Sequence, residues 1–289
     1  MTEANASTGA GDIGQAFQAE WDACHASARA HVLARLEAMG TSPVMLEHAS
    51  KLRLYYRAAF LLSLWARDAG MRRELSSALA CHIVAMKLID DLLDQDSGVD
   101  RFELGCGALT LLLAAGAEFQ GFPGASDIAR VLDDNFLRIC RTQLKCKQVA
   151  AGNLGEWLGY AADYGSRFLA TYGRVGGLAA GLEREQASIP ERFASAFGMI
   201  ITISDDLTDY FRHDERDGNI GALLMAGVVT REQIARELDD QRCKAVNAAM
   251  ALPTAYDLRP VIELYTNDAS TRILAKFAAA ESLPLQRTH

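Results

Sequence analysis

The sequence of 289 residues lacks several features that would assign it to a class at once. Its six cysteines contain no Cys-x-x-Cys pair, which favours buried free thiols over a zinc ribbon or disulfides. Lysine and arginine total 29 against 37 aspartate and glutamate, and the net charge of −8 argues against a nucleic-acid partner. Because no uninterrupted apolar run reaches roughly 18 residues, we expect no integral membrane segment.

The N-terminus also lacks the basic and apolar regions of a signal peptide. Residues 1–12 are small and polar, so we interpret them as a flexible tail and expect a cytoplasmic protein. Residues 13–282 are predicted to form one domain, and residues 283–289 a short C-terminal tail. The apolar residues repeat at helical spacing and no clear alternation indicates a strand, so the predicted fold class is all-α. The predicted helices span 14–39, 43–68, 71–94, 102–119, 126–149, 154–182, 190–211, 231–250 and 257–277.

One acidic signature, Asp-Asp-x-x-Asp, occurs twice, each time at the end of a long apolar helical run. The first motif contains Asp90, Asp91 and Asp94, and the second contains Asp205, Asp206 and Asp209. The first and last carboxylates of each motif lie four residues apart on one helix face, where they repel by roughly a few tenths of a kcal/mol. Such a repeated cost indicates a bound hard cation such as Mg²⁺, which is usually shared with substrate phosphates. We therefore predict that all six aspartates are catalytic, with Asp90, Asp94, Asp205 and Asp209 as metal ligands.

The surroundings of the first motif favour an interior site over a solvated acidic surface. Between residues 78 and 93 the only strongly polar side chains are His82, Lys87 and two of the aspartates, which predicts a buried helix. Ile83 and Met86 precede Asp90 at helical steps and are expected to line an apolar shaft below the carboxylates. Lys87 either pairs with the neighbouring aspartates or contacts substrate, and the sequence leaves both roles open. His82 is expected to be a core histidine.

On the second predicted helix, small and polar residues form a stripe. Ala194, Gly198 and Thr202 lead to Asp205 at steps of three or four residues. We expect these small side chains to leave room for a ligand. A single Asp-Asp-x-x-Asp sequence would be a weak signal, but two copies in matched apolar contexts favour a metal-diphosphate site.

On these motifs the chain resembles the trans-isoprenyl diphosphate synthases, an all-α family whose two aspartate motifs hold Mg²⁺ on an allylic diphosphate. The resemblance covers most of the chain. It implies an isoprenoid-synthase helical bundle around a central apolar cavity, Mg²⁺ as the cofactor and an allylic diphosphate as substrate, and we expect a homodimer. By family position Gln143, Arg167 and Arg216 would face the diphosphate.

The acceptor half of the chain departs from ordinary chain-elongating synthases. Those enzymes hold isopentenyl diphosphate with a Gly-Gly-Lys-Arg-x-Arg-Pro segment and an Arg-Arg pair after the first motif. Here the corresponding segment keeps only scattered cations, Lys51, Arg53 and Arg57, and a single Arg101 follows the motif. Without clustered donors, isopentenyl diphosphate should bind poorly.

A more specific resemblance is to the moenocinol-forming prenyltransferases of moenomycin-type phosphoglycolipid biosynthesis. It rests on residues 52–55, 86–94, 206–210, 215–219 and 264–266. It implies transfer of a geranyl group from geranyl diphosphate to a cis-farnesyl chain on a phosphoglycerate-linked lipid, which gives a C25 product for antibiotic biosynthesis. Arg53 and Arg57 would then contact the acceptor's phosphate or carboxylate. The acceptor's lipid tail implies peripheral contact with the inner face of the membrane.

Three other functions stay open on the sequence. A class I terpene cyclase acting on a short allylic diphosphate would also lack an isopentenyl site, although the second motif does not fit the Asn-Asp-x-x-Ser-x-x-x-Glu form that many cyclases use. An ordinary polyprenyl diphosphate synthase with an unusual N-terminal segment is the second. The third is a catalytically weak subunit that partners an active synthase, and the complete aspartate motifs argue against it.

Overall fold

The computed structural model describes residues 14–94, 97–146, 151–212 and 218–282. The predicted tails, residues 1–12 and 283–289, lie outside these ranges. Within them the chain is helical and contains no strand, which confirms the predicted all-α class. The α-helices are α1 (Gln15–Ala38), α2 (Pro43–Ser50), α3 (Arg53–Ser63), α4 (Ala69–Asp94), α5 (Arg101–Phe119), α6 (Ala125–Cys146), α7 (Leu154–Ala161), α8 (Arg167–Ala179), α9 (Ser188–Arg212), α10 (Ile220–Met225), α11 (Arg231–Ala251), α12 (Arg259–Asn267) and α13 (Leu274–Ser282).

The predicted helix 43–68 is two helices, α2 and α3, separated by a corner at Lys51 and Leu52. Leu52 has φ −74° and ψ 50°, which is not helical. The hydroxyl of the buried Tyr56 donates to the carbonyl of Ala49 at 2.9 Å, so a carbonyl at the end of α2 gains a partner across the corner. The start of α2 agrees with the sequence, because Ser42 caps it and Pro43 is its first residue.

The predicted helix 154–182 is interrupted by a π-helical segment, Ala162–Ser166, between α7 and α8. Gly165 packs here against α9. A Cβ atom on Gly165 would lie 2.1 Å from Thr202 Oγ1, so only glycine fits. Single π-helical turns are frequent at functional sites. A second such segment, Asp268–Ile273, divides the predicted helix 257–277 into α12 and α13.

The small residues of α9 pack against α8 and the π-helical segment that precedes it. A Cβ on Gly198 would lie 3.1 Å from Ser166 Cα, and a Cβ on Gly173 of α8 would lie 2.5 Å from the Ala194 Cβ. The expectation that this stripe leaves room for substrate was therefore wrong for Ala194 and Gly198. These small residues allow two central helices to approach closely.

A buried ion pair joins α1 to the start of α4. Arg72 is 6% exposed and donates from Nε and Nη2 to both carboxylate oxygens of Glu20, at 2.8 and 2.9 Å. Arg72 Nη1 also donates to the carbonyls of Ala66 and Arg67 at 2.9 and 2.7 Å. The Tyr256 hydroxyl bonds to Glu20 as well. Because every charge in this group has close partners, the removal of one partner would leave an uncompensated buried charge.

Helix α5 presents an apolar face to the surface. Phe102, Leu109 and Leu113 are 79%, 58% and 67% exposed. Their spacing places them on one face of the helix. Among the described helices, α5 is long and apolar enough to cross a membrane by length and composition, a test that core helices also pass, and a third of its most apolar window is buried.

Candidate active site

The first aspartate motif lies at the end of α4, where Lys87 joins two of its carboxylates. The Lys87 ammonium lies 2.8 Å from Asp90 Oδ2 and 2.7 Å from Asp91 Oδ1. The Tyr164 hydroxyl, from the π-helical segment, donates to Asp90 Oδ1 at 2.9 Å. Of the two roles that the sequence left open for Lys87, the structure shows the pairing with aspartates. Burial opposes the charge on Lys87, but Tyr55 and Asp90 outweigh it and raise its pKa.

Asp91 is 2% exposed and serves as a connecting residue. Its Oδ2 lies 2.7 Å from Nε2 of His48 on α2, and its Oδ1 contacts Lys87. Burial opposes ionisation of Asp91, but the hydrogen bonds from His48 and Lys87 prevail and hold its pKa below the usual value. With both oxygens engaged, Asp91 positions Lys87 and the N-terminal helices.

In the second motif, Asp205 and Asp206 have different surroundings. The Asp205 side chain is exposed to solvent although protein atoms crowd around its carboxylate. Burial, followed by the charges of Asp209 and Asp206, raises its pKa to about 7. Asp206 Oδ2 accepts from Trp157 Nε1 at 2.8 Å and from the backbone N–H of Ile220 at 3.1 Å. Asp206 is therefore fixed by α7 and α10, while Asp205 stands among like charges.

Tyr55 of α3 lies within electrostatic reach of both motifs. Burial raises the pKa of the Tyr55 phenol, and the nearby charges of Asp90, Asp205 and Asp91 raise it further. One phenol therefore lies close to carboxylates from α4 and from α9. The Lys87 charge also acts on Asp205. The raised pKa of Asp205 shows that negative charge is concentrated here. Such a concentration of carboxylate oxygens suits a hard divalent cation such as Mg²⁺.

Asp94 and Asp209 complete the predicted ligand set. Each lies one helical turn after the first aspartate of its motif and on the same face. Asp94 is the last residue of α4 and is exposed, and Asp209 is partly buried. The residues present could therefore hold Mg²⁺ through Asp90, Asp94, Asp205 and Asp209, as the sequence predicts.

Of the three residues predicted to contact the diphosphate, only Arg167 has a side chain in the described part of the chain. Arg167 begins α8 three residues after Tyr164, and its Nη2 donates to Asp163 at 2.9 Å. Gln143 lies on α6, but its side chain falls outside the described part of the chain. Arg216 lies between the described ranges. The contacts of Gln143 and Arg216 with a diphosphate therefore stay predictions.

The predicted shaft residues are buried beside the motif. Ile83 is 0% and Met86 is 8% exposed. A cavity of about 280 Å³ opens next to His82, with walls from α4, α5 and α6 that include Leu112, Phe119, Ile128, Leu132 and Phe136. His82 precedes Asp90 by two helical turns, or roughly 12 Å along the axis. Its Nδ1 lies 2.7 Å from the Tyr172 hydroxyl, and burial lowers its pKa to about 4, so His82 is a neutral, partnered core histidine.

The predicted acceptor cations belong to a group of basic residues at the junction of α1 and α3. Arg53 and Arg57 are exposed, and the Arg57 guanidinium lies 5.8 Å from the Trp21 ring centroid. Burial lowers the pKa of His25, and the charges of Arg57, Arg29 and Arg53 lower it further. Arg29, whose Nε donates to the Ser50 carbonyl at 3.2 Å, thus adds a cation that the sequence analysis missed.

Sequence reasoning missed further residues of the site. Tyr55 and Asn219 fall in segments that carry the resemblance, but no role was predicted for them, and His48 and Trp157 were assigned no role either. These residues reach the aspartates from α3, the start of α10, α2 and α7. Asn219 is 2% exposed and donates to the Asp206 carbonyl at 2.8 Å. Tyr164 could not be placed because the π-helical segment changes the phase of the helix around it.

No family model matches the sequence, and no curated protein matches it. Several solved structures match the fold. A geranyltranstransferase from Methanosarcina mazei superposes with a TM-score of 0.64 and 14% identity over 86% of this chain and 97% of that chain. A heptaprenyl diphosphate synthase from Staphylococcus aureus superposes with a TM-score of 0.62 and 14% identity, over 88% of this chain and 98% of that chain. A decaprenyl diphosphate synthase from Rhodobacter capsulatus superposes with a TM-score of 0.62 and 15% identity, over 89% of this chain and 98% of that chain. The chain therefore has the all-α fold of these synthases.

Proposed function

We propose that this protein is a Mg²⁺-dependent prenyltransferase that acts on an allylic diphosphate. The observation that carries the proposal is that aspartates of both motifs, from α4 and α9, act on the partly buried Tyr55 phenol. The names of the solved structures that share the fold support the same class of reaction. Bound Mg²⁺ would neutralise charge on the departing diphosphate oxygens.

The donor in this proposal is geranyl diphosphate. Asp90, Asp94, Asp205 and Asp209 would hold the ions, and Arg167, Gln143 and Arg216 would donate to the diphosphate. The buried side chains of α4 lead away from the carboxylates toward the cavity beside His82. Its apolar walls suit a hydrocarbon chain and exclude water from a cationic transition state.

The acceptor in this proposal is a cis-farnesyl chain on a phosphoglycerate-linked lipid, and the product is a C25 moenocinyl-type lipid. Support comes from the basic group of Arg29, Arg53 and Arg57, because phosphate and carboxylate bind guanidinium groups through charge-assisted hydrogen bonds. To reach this lipid substrate, the enzyme would act in the cytoplasm at the inner face of the membrane. In this proposal the contact with the membrane is peripheral.

We further propose a homodimer in which two copies of α5 cover one another. The exposed apolar face of Phe102, Leu109 and Leu113 supports this arrangement. Light scattering should give twice the chain mass, and Leu113→Asp should reduce it to the chain mass. Met250 on α11 is equally exposed, at 67%, so Met250→Asp is the matched control and should leave the mass unchanged. A wild-type protein of single-chain mass would contradict the dimer.

Mass spectrometry of products tests the reaction. Geranyl diphosphate and Mg²⁺ are incubated with farnesyl-phosphoglycerate, with isopentenyl diphosphate, or with no acceptor. The proposal predicts a geranylated farnesyl-phosphoglycerate in the first reaction and little product in the others. Efficient use of isopentenyl diphosphate would identify an ordinary chain-elongating synthase, which is the second candidate and the one that the names of the matching structures favour. A terpene formed from geranyl diphosphate alone would identify a cyclase.

A further inference from the structure

We propose that the Lys87 ammonium is a built-in cation of the first aspartate motif, which Mg²⁺ must displace from Asp90 in order to bind. This inference rests on the proposed function, because it concerns the same site. Lys87 would thereby make the loading of Mg²⁺ depend on diphosphate.

Both carboxylate oxygens of Asp90 already have partners. Its Oδ2 accepts from Lys87 at 2.8 Å and its Oδ1 accepts from Tyr164 at 2.9 Å. Mg²⁺ requires near-ideal octahedral geometry with oxygen ligands at roughly 2.0–2.1 Å. A divalent ion on Oδ2 would stand beside the ammonium, and two cations that share one partly buried carboxylate repel. The ammonium and the ion therefore compete for Asp90.

Asp91 is placed to retain Lys87 after this displacement. The ammonium already bridges both aspartates, with its contact to Asp91 Oδ1 at 2.7 Å. His48 fixes the other oxygen of Asp91 at 2.7 Å. A small rotation of the lysine side chain would break the contact with Asp90 and keep the one with Asp91. This role explains why the motif contains a second aspartate that is buried and fully engaged.

The consequence is a coupling between metal and diphosphate. An ammonium released from Asp90 has donors for a nearby anion, and a diphosphate would supply the negative charge that accommodates both cations. Mg²⁺ should then bind weakly alone and tightly with diphosphate, and each should strengthen the other by the same factor. Lys87 is a positioning residue in this account, since its effect passes through Asp90 and Asp91.

The test is a calorimetric titration of Mg²⁺ into wild type, Lys87→Met and Lys244→Met, with and without inorganic diphosphate. Lys244 is the matched control, because it forms an exposed pair with Asp240 at the same four-residue spacing. Without diphosphate, Lys87→Met should bind Mg²⁺ at least about tenfold more tightly than wild type, since a charge-assisted contact no longer competes. Diphosphate should tighten Mg²⁺ binding to Lys87→Met by a smaller factor than in wild type. Lys244→Met should behave as wild type.

Equal Mg²⁺ affinities of Lys87→Met and wild type without diphosphate would overturn the inference while leaving the proposed function intact. Failure of all three proteins to bind Mg²⁺ even with diphosphate would overturn both. Thermal unfolding gives a second readout, because Mg²⁺ should raise the Tm of Lys87→Met more than that of wild type. If Lys87→Met does not fold, Lys87→Gln makes the same comparison, since it removes the charge and keeps hydrogen-bond donors.

Discussion

The raised pKa of Asp205 predicts that Mg²⁺ binding depends on pH near neutrality. Burial and the charges of Asp209 and Asp206 raise this pKa to about 7, and the ion requires the carboxylate form. The ionised fraction of Asp205 then rises from roughly one tenth at pH 6 to nine tenths at pH 8, so the apparent Mg²⁺ affinity should rise about tenfold. At pH 7 the ion bound by Asp205 should release about half a proton.

Calorimetric titration of Mg²⁺ in two buffers of different ionisation enthalpy measures the number of protons that are released on binding. Asp205→Asn should abolish the release and weaken Mg²⁺ binding. His48→Gln is the control at a neighbouring residue, which contacts Asp91, and should leave the proton release in place. The same pKa also predicts that stability without added Mg²⁺ falls as pH rises from about 4 to 7, because the native state holds a proton that the unfolded chain releases. A Mg²⁺ affinity that is constant between pH 6 and 8, with no proton release, would refute the reasoning.

Three further changes have defined outcomes. Asp90→Ala should remove most turnover and leave the helical circular dichroism intact, and retained turnover would exclude Asp90 as a ligand. Arg167→Ala should reduce the rate severely whereas Arg167→Lys keeps part of it, as steady-state kinetics with varied geranyl diphosphate would show. Arg72→Ala should lower the free energy of unfolding by about 3–5 kcal/mol, because it leaves Glu20 buried without its partner. The exposed neighbour Arg73→Ala should change it by no more than about 0.5 kcal/mol in the same denaturant titration.

Much of the fold could be predicted because the main signals are local. The apolar period of α4 and the Ser42-Pro43 start of α2 are visible in the sequence, and the structure confirms both. The corner at Leu52 and the π-helical segment at Gly165 could not be predicted. Both depend on contacts between distant residues, such as the approach of Gly165 to Thr202.

The site was predictable to a similar degree. The residue type and spacing of the six aspartates identify them in the sequence, and the pairing of Lys87 with them follows from helix geometry. The other partners of the aspartates could not be predicted. Tyr55, Tyr164 and Trp157 look like ordinary core residues in the sequence, and they reach the aspartates only when the helices pack together. Small residues on α9 misled the interpretation, since a stripe that could admit a ligand can equally admit a neighbouring helix.

In the proposed reaction, one diphosphate is held between metal ions that are bound by the two aspartate motifs. A crystal structure with Mn²⁺ and geranyl thiodiphosphate tests it most directly, because anomalous scattering locates each ion. The account predicts ions bound by Asp90 and Asp94 on one side and by Asp205 and Asp209 on the other, all of them contacting a single diphosphate. Ions at only one motif, or a diphosphate bound away from both motifs, would contradict it.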